Sequence, residues 1–336
     1  MPKTWNKKIL TVLMQWDYGD KSRGVSMEKT YFHDNLRKLA ANVEPFWYDE
    51  YLNDLPRLQK LVLEKAAAYG PDLIYFMPSE HQFSVETLDL LKKRWPTCVW
   101  FGDDTWRFDS YSSKLAPHFS FVATTDPYSV EKYRKLGVEP ILTQLGAQLS
   151  AGDLGPLPPP VYDHEVSFVG GRNNIRAWFI SRLEKLGIEV KCFGAGWPAG
   201  KVSFADMDLI FRKSRINLNL SNSLNHDIRF VFGGPRNFAT YLRSTKFAEQ
   251  IKARNFEIPL AGGFQLTNYV AGLERYLKVG EEVAVFATPE ECAQQIRYYL
   301  GNEAERLAIL SAGTKRAERE LTYLSRLQEM LGHIWK

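Results

Sequence analysis

The chain has 336 residues, 45% of them hydrophobic and 24% charged, which excludes a disordered or collagen-like chain and suits two domains of roughly 150 residues each. Lysine and arginine number 43 against 39 aspartate and glutamate, a net charge of +4. That excess is too small to point to nucleic acid, and it is compatible with an anionic small ligand or loose contact with an acidic membrane surface.

Residues 9–16 are strand-like; the basic stretch before them and their short length do not make a secretory signal. Met27, Tyr31 and Leu39 stand at helical spacing within 27–41, with Ser26 as the cap. A second strand is expected over 43–48 and a helix over 55–68. A strand at 72–77, a helix at 85–94, a strand at 97–101, a strand at 119–123, a helix at 129–135 and a strand at 141–145 follow. Residues 151–160 hold four Pro and two Gly and read as a hinge. The alternation restarts with strands at 166–169, 189–193 and 216–220 and helices at 175–186 and 204–213. The stretch containing Asn225, His226, Arg229, Gly233-Gly234-Pro235, Arg236 and Arg243 reads as an irregular loop, either lying over a ligand cleft and touching what binds there or simply solvated. A strand at 283–286 precedes Thr288-Pro289-Glu290-Glu291, which reads as a capping box. Residues 302–331 are expected to be helical with one break near Gly313.

Strands alternating with amphipathic helices imply an α/β fold of parallel sheets covered on both faces. The expected domains are 1–150, a linker over 151–160, a second domain over 161–312, and terminal helices over 313–336 packing back toward the first. No apolar run approaches the ~18 residues of a membrane span. Cys98, Cys192 and Cys292 are odd in number and scattered, so no disulfide framework or zinc site is expected, and a reducing cytoplasm is the expected compartment.

In parallel sheets ligands sit beyond the carboxyl ends of strands. Gly170-Gly171, between a strand and a helix start, with Arg172 and Arg176 able to add charge, suits either close approach of backbone N–H groups to a phosphate or an ordinary turn with solvated arginines. Gly194-Ala195-Gly196-Trp197 is a similar turn. Glu249 and Glu257 stand eight apart with Lys252 and Arg254 between them and Gly262-Gly263 beyond. Lys252 and Arg254 could neutralise a pyrophosphate, and Glu257 could accept ribose hydroxyls; an exposed charged helix is the alternative. Asp103-Asp104 after a strand offers a general base or an Asx turn. His33 is a base candidate or a satisfied core histidine, and His81 beside Glu80 stands similarly. Tyr18, Gly19 and Arg23, in the loop after the first strand, are candidates for acceptor contact.

Lys252-x-Arg254-x-Phe256-Glu257-x-Pro259-x-x-Gly262-Gly263-Phe264-x-Leu266-Thr267 resembles the signature of the CgeB-like (spore-maturation) glycosyltransferases, which are similar to the group-1 and family-4 glycosyltransferases of GT-B fold. Phe168-Val169-Gly170, Phe193-Gly194-x-Gly196-Trp197, Ile216-Asn217-Leu218-Asn219, Thr322-Tyr323 and Arg326-Leu327 extend the resemblance over 166–331. Pro71-Asp72-Leu73-Ile74 and Phe101-Gly102-Asp103-Asp104 resemble the family's first domain more loosely. The resemblance implies two Rossmann-like domains facing each other across a cleft. The C-terminal one would take a nucleoside-diphosphate-sugar donor, the N-terminal one a carbohydrate or glycoconjugate acceptor, in surface polysaccharide assembly. It implies no nucleic acid partner, no cofactor, and no metal in the chemistry. Glu249 and Glu257 fall at the Glu-x7-Glu spacing, where the first acid holds the sugar and the second the ribose, although the Glu-x-Phe-Gly context is missing. A nucleotide-sugar epimerase of the same fold and a non-catalytic nucleotide-sugar binder are the alternatives.

Overall fold

The computed structural model describes residues 4–151, 154–159, 161–221, 227–246 and 248–336. The chain divides into one unit of Met1–Gln144 with Tyr323–Lys336 and another of Leu145–Thr322. The first boundary therefore falls before the proline-rich stretch, and only the last helix, not all of 313–336, joins the N-terminal unit.

The N-terminal unit is built on a parallel sheet of β1 (Trp5–Leu13), β2 (Ala40–Trp47), β3 (Leu73–Phe76), β4 (Thr97–Phe101), β5 (Phe121–Thr124) and β6 (Pro140–Leu142), in the order β2-β1-β3-β4-β5-β6. β3 and β4 are buried along their whole length, as a parallel sheet covered on both faces requires. One face packs on the helices Leu55–Tyr69 and Val85–Arg94 through Leu58, Val62, Leu88 and Leu91. Both helices start on a side-chain cap: Asp54 accepts from Arg57 N and Ser84 from Thr87 N. On the other side the last helix, Tyr323–Ile334, lays Tyr323 on Tyr31, rings stacked 4.6 Å apart, and edge-on to Phe32.

The C-terminal unit repeats the plan with β7 (His164–Val169), β8 (Lys191–Phe193), β9 (Ser214–Asn219), β10 (Gln265–Asn268) and β11 (Ala284–Phe286), ordered β11-β10-β9-β7-β8 and parallel throughout. The proline-rich stretch is fastened to this unit. Arg212 donates to the carbonyls of Leu154 and Gly155, and the buried Asp208 carboxylate accepts from the N–H groups of Ser150 and Ala151.

Several expectations are corrected. The segment expected as one helix over 27–41 is a π-helical stretch, Glu28–His33, then an α-helix, Asp34–Leu39, and β2 starts directly at Ala40. β10 was not expected at all. Of the stretch expected as a loop, Ile228–Val231 and Pro235–Arg243 are helical, and Asn225 and His226 lie outside the described residues. The helix Glu303–Glu320 runs through Gly313 without a break. A Cβ on Gly313 would stand 2.5 Å from the Glu282 carbonyl oxygen, so this glycine marks a close approach between backbones. The break comes at Leu321–Thr322. Thr288 caps its helix through Glu291 N, but the Glu291 carboxylate takes the N–H of Ala287 instead of returning to Thr288. The cysteines are free thiols.

Candidate functional site

Strand orders of this kind place the topological switch point between β1 and β3 in one unit and between β7 and β9 in the other. Ligands of open parallel sheets bind outside the carboxyl ends there. In the C-terminal unit this is where Val169 leads into Gly170-Gly171-Arg172, then into the helix Asn174–Lys185. Asn173 caps that helix by accepting from Arg176 N at 2.9 Å.

The two glycine turns meet. Gly170 N donates to Phe193 O and Arg172 N to Ala195 O, both at 2.8 Å, and the Trp197 indole donates to Gly170 O at 2.9 Å. Gly194 has φ +126°, and a Cβ there would lie 2.4 Å from Gly170 O, so the close approach of the two turns requires glycine. Gly196, at φ +83°, stands against Arg172 Cβ, and the Arg172 guanidinium lies over the Trp197 ring at 5.5 Å.

Arg254 and Glu257 are brought to the same strand end. Arg254 Nε donates to Val169 O at 3.2 Å, and its Nη1 is paired with the Glu257 carboxylate, which is 4% exposed. Arg176, the second arginine of this stretch, braces the switch point by donating to Leu220 O at 2.8 Å and Gly171 O at 2.9 Å. Burial, with the charge on Arg254 adding to it, lowers the Arg176 pKa to about 10, and Glu249 acts the other way, so the three charged groups share one electrostatic neighbourhood. Lys252 sits on the turn entering the helix Arg254–Leu260, its Nζ donating to Gln250 Oε1 at 3.0 Å. Asn255 joins this turn to the sheet: its Oδ1 accepts from Lys252 N and its Nδ2 donates to Thr267 Oγ1, which also accepts from Asn219 Nδ2.

Gly262 and Gly263 are a correction. They lie at the amino end of β10, the edge of the sheet opposite Gly170-Gly171. A Cβ on Gly262, at φ +74°, would stand 2.2 Å from Arg212 Nη1, and one on Gly263 would stand 2.6 Å from Asn217 Nδ2. These glycines serve packing.

In the N-terminal unit, Tyr18 and Gly19 lie in one 3-10 turn after β1 and Arg23 in the next, within a single loop. The Arg23 guanidinium lies 4.4 Å over the Tyr18 ring and its Nε donates to Asp17 at 2.9 Å. Tyr18 itself has φ +53°, a left-handed conformation that L side chains adopt at a cost. His33 is corrected from base to core residue: its Nδ1 bonds Thr11 Oγ1 at 2.9 Å in mid-strand, its ring stands edge-on to Trp47, and burial lowers its pKa to about 4. Asp104 is likewise inside, 1% exposed, accepting from Thr124 Oγ1 at 2.5 Å and Tyr133 OH at 2.7 Å. Burial raises its pKa to about 6. Its neighbour Asp103 is half-buried at the carboxyl end of β4. His81 is exposed beside the Tyr111 ring, on a loop clasped by the Tyr111 hydroxyl and the Arg107 guanidinium.

Sequence reasoning missed the carboxylates that close the end of β1. Glu28 accepts from Met14 N at 2.5 Å, and Asp49 accepts from Gln15 N and Trp16 N, each at 3.0 Å. Burial raises the Glu28 pKa to about 8; the Met14 N–H opposes the shift, and the charges on Asp49 and Asp17 add to it. No local pattern marks either residue, because the donors they meet lie 14 and 33–34 positions away.

Comparison with solved structures decides the fold. Sucrose-phosphate synthase from Thermosynechococcus elongatus superposes with a TM-score of 0.65 at 10% identity, over 98% of each chain. Anabaena HepE in complex with UDP and glucose gives 0.63 at 13%, over 98% of this chain and 99% of that one. A glycosyltransferase from Rickettsia africae gives 0.64 at 12%, over 99% and 100%. The chain has the GT-B fold. At these identities the likeness is one of architecture. Within this GT-B chain, residues 172–332, a little under half of its length, match the family model described as glycosyl transferase-like. That span starts at Arg172 and takes in Gly196, Arg254 and Glu257. No curated protein matches the sequence.

Proposed function

We propose that the protein is a glycosyltransferase of the CgeB-like kind, moving a hexosyl or related sugar from a nucleoside-diphosphate-sugar donor, held by the C-terminal unit, to a hydroxyl of a carbohydrate or glycoconjugate acceptor. The observation that carries the reading is the convergence of Gly170-Gly171-Arg172 and the Arg254–Glu257 pair on the carboxyl end of β7. There the Gly171 N–H, the N-terminus of the helix Asn174–Lys185 and the arginines would meet the diphosphate, the N–H groups of Gly170 and Arg172 being engaged by Phe193 O and Ala195 O. Glu257, oriented by Arg254, would take the ribose, and Glu249 the sugar. The bound UDP and UDP-glucose of the HepE structures make a uridine donor the first to test. Asp103 remains the candidate base for the acceptor hydroxyl, and Tyr18, Gly19 and Arg23 the candidate acceptor contacts. The setting would be polysaccharide or glycoconjugate assembly in the cytoplasm, at the inner face of a membrane. Neutralising the departing diphosphate with arginines and backbone N–H groups would leave no role for a metal in the chemistry.

Calorimetry with UDP, GDP, TDP, ADP and CMP tests the donor. One nucleoside diphosphate should bind, and Arg254→Ala should weaken it about 10- to 100-fold, the effect of losing a charge-assisted hydrogen bond. Equal affinity in a folded Arg254→Ala protein sinks the reading. If transfer is then measured, undiminished turnover in EDTA is the expected result, and activity restored only by a divalent cation rejects the metal-free route.

A further inference from the structure

β9 ends at Asn219, and the chain re-enters the described residues at Asp227, from which two helices follow, Ile228–Val231 and Pro235–Arg243. The second is turned inside out. Its polar side faces the body: Asn174 Nδ2 donates to Thr240 Oγ1 at 2.7 Å, and Tyr241 packs with Ile175 and Trp178 against Phe230 and Val231. Its apolar side faces water. Phe238 is 43% exposed and Leu242, one turn on, 66%; Phe232, 72% exposed, stacks on Phe238 at 6.3 Å, and Ile228, at 66%, adds to the exposed apolar side chains of the segment. A surface helix ordinarily shows water the opposite side, and contiguous exposed apolar groups mark an interaction surface.

The charge on this segment selects the partner. Residues 228–248 contain Arg229, Arg236, Arg243 and Lys246 and no aspartate or glutamate. Arg229 is held by Asp227 and Glu290. Arg236 and Arg243 are exposed and make no ion pair among the described residues. Seven residues apart, they fall on one flank of the apolar face. A second copy docking here would set like charges against like, whereas anionic headgroups would neutralise them. Among the described residues no helix is long and apolar enough to cross a membrane, so the segment would lie in the interface.

We propose that the face formed by Ile228, Phe232, Phe238 and Leu242, flanked by Arg236 and Arg243, docks this protein on an anionic lipid bilayer, the apolar side chains entering the headgroup–acyl boundary and the arginines meeting lipid phosphates. This holds whatever reaction the sheets support. The test is flotation of the full chain with vesicles of phosphatidylcholine alone or with about 30% phosphatidylglycerol, within the range where anionic lipid attracts basic segments. The protein should float with the anionic vesicles. Arg236→Ala and Arg243→Ala should each weaken binding about fivefold, and Phe238→Ser with Leu242→Ser about tenfold or more. All four positions are exposed, and a melting curve for each variant confirms folding. Failure of the wild type to bind anionic vesicles, or equal binding by the Phe238→Ser/Leu242→Ser variant, overturns the proposal. So does a concentration-dependent dimer in sedimentation velocity that the same two substitutions abolish, since it assigns the face to a second copy.

Discussion

Two titratable side chains inside the N-terminal unit pull its stability in opposite directions with pH. Glu28 has a native pKa of about 8 against an ordinary 4.5, because burial disfavours its charge. The folded state therefore holds the proton more tightly than the unfolded chain. That stabilisation is complete below the ordinary value and is lost as pH rises through about 8. His33, at about 4 against 6.5, does the reverse: the unfolded chain takes the proton first, and stability is lost as pH falls through that window. Glu28→Gln keeps an acceptor for Met14 N and should flatten the decline in melting temperature between about pH 5 and pH 8. His33→Gln should flatten the decline on the acid side. Melting curves from about pH 4 to about pH 8 read both, and an unaltered alkaline limb in Glu28→Gln refutes the burial account. At the same scale, Asp103 is the one member of the carboxylate pair with access to solvent. Its replacement by Asn should cut turnover roughly 10²- to 10⁴-fold if it is the base, with nucleotide affinity unchanged.

Among elements, glycines separate close packing from mere helix content. Gly313 and Gly332 both lie within helices, Glu303–Glu320 and Tyr323–Ile334, yet a Cβ meets Glu282 O at 2.5 Å in the first case and nothing within 4 Å in the second. Gly313→Ala should cost on the order of 1–3 kcal/mol as overpacking, and Gly332→Ala should stabilise by about 0.5–1 kcal/mol. Denaturant midpoints of the two variants should move in opposite directions; a shift in the same direction would show that helix propensity outweighs the contact. Where the local signals agreed with the packing, elements were legible to the residue: Ser84 caps and Lys92-Lys93-Arg94 closes the helix Val85–Arg94. β10 was invisible for the converse reason. Gln265, Thr267 and Asn268 are polar and buried, and their partners, Asn255 O, Asn219 Nδ2 and Ser221 N, come from other segments.

For the whole molecule, each unit has its own sheet and its own core, but only one is continuous in sequence. A fragment of residues 145–322 should fold alone and keep whatever nucleotide affinity the full chain has. A chain ending at residue 322 should lose much of its N-terminal unit's stability, because Tyr323 is stacked on Tyr31 and Trp335 lies 5.9 Å from Trp5. Hydrogen exchange on the truncated protein should show protection lost in β1 and the helix Asp34–Leu39 and retained in β7 and β9. Uniform loss in both units would mean that they do not fold independently.

The sequence by itself determined the two α/β repeats, the proline-rich stretch between their sheets and the two glycine turns. These rest on period, caps and turn chemistry, all local. It also located Arg254 and Glu257, whose spacing of three places both on one side of a helix. What only the tertiary structure decided was which groups share a strand end. Gly194 meets Gly170, Arg254 meets Val169 O and Glu28 meets Met14 N because parallel strands are paired through crossovers, not hairpins. The same long connections bury His33 and Asp104 and carry Gly262-Gly263 to the opposite edge of the sheet. Burial is a property of what packs above a residue, and in this chain that comes from segments tens of positions away.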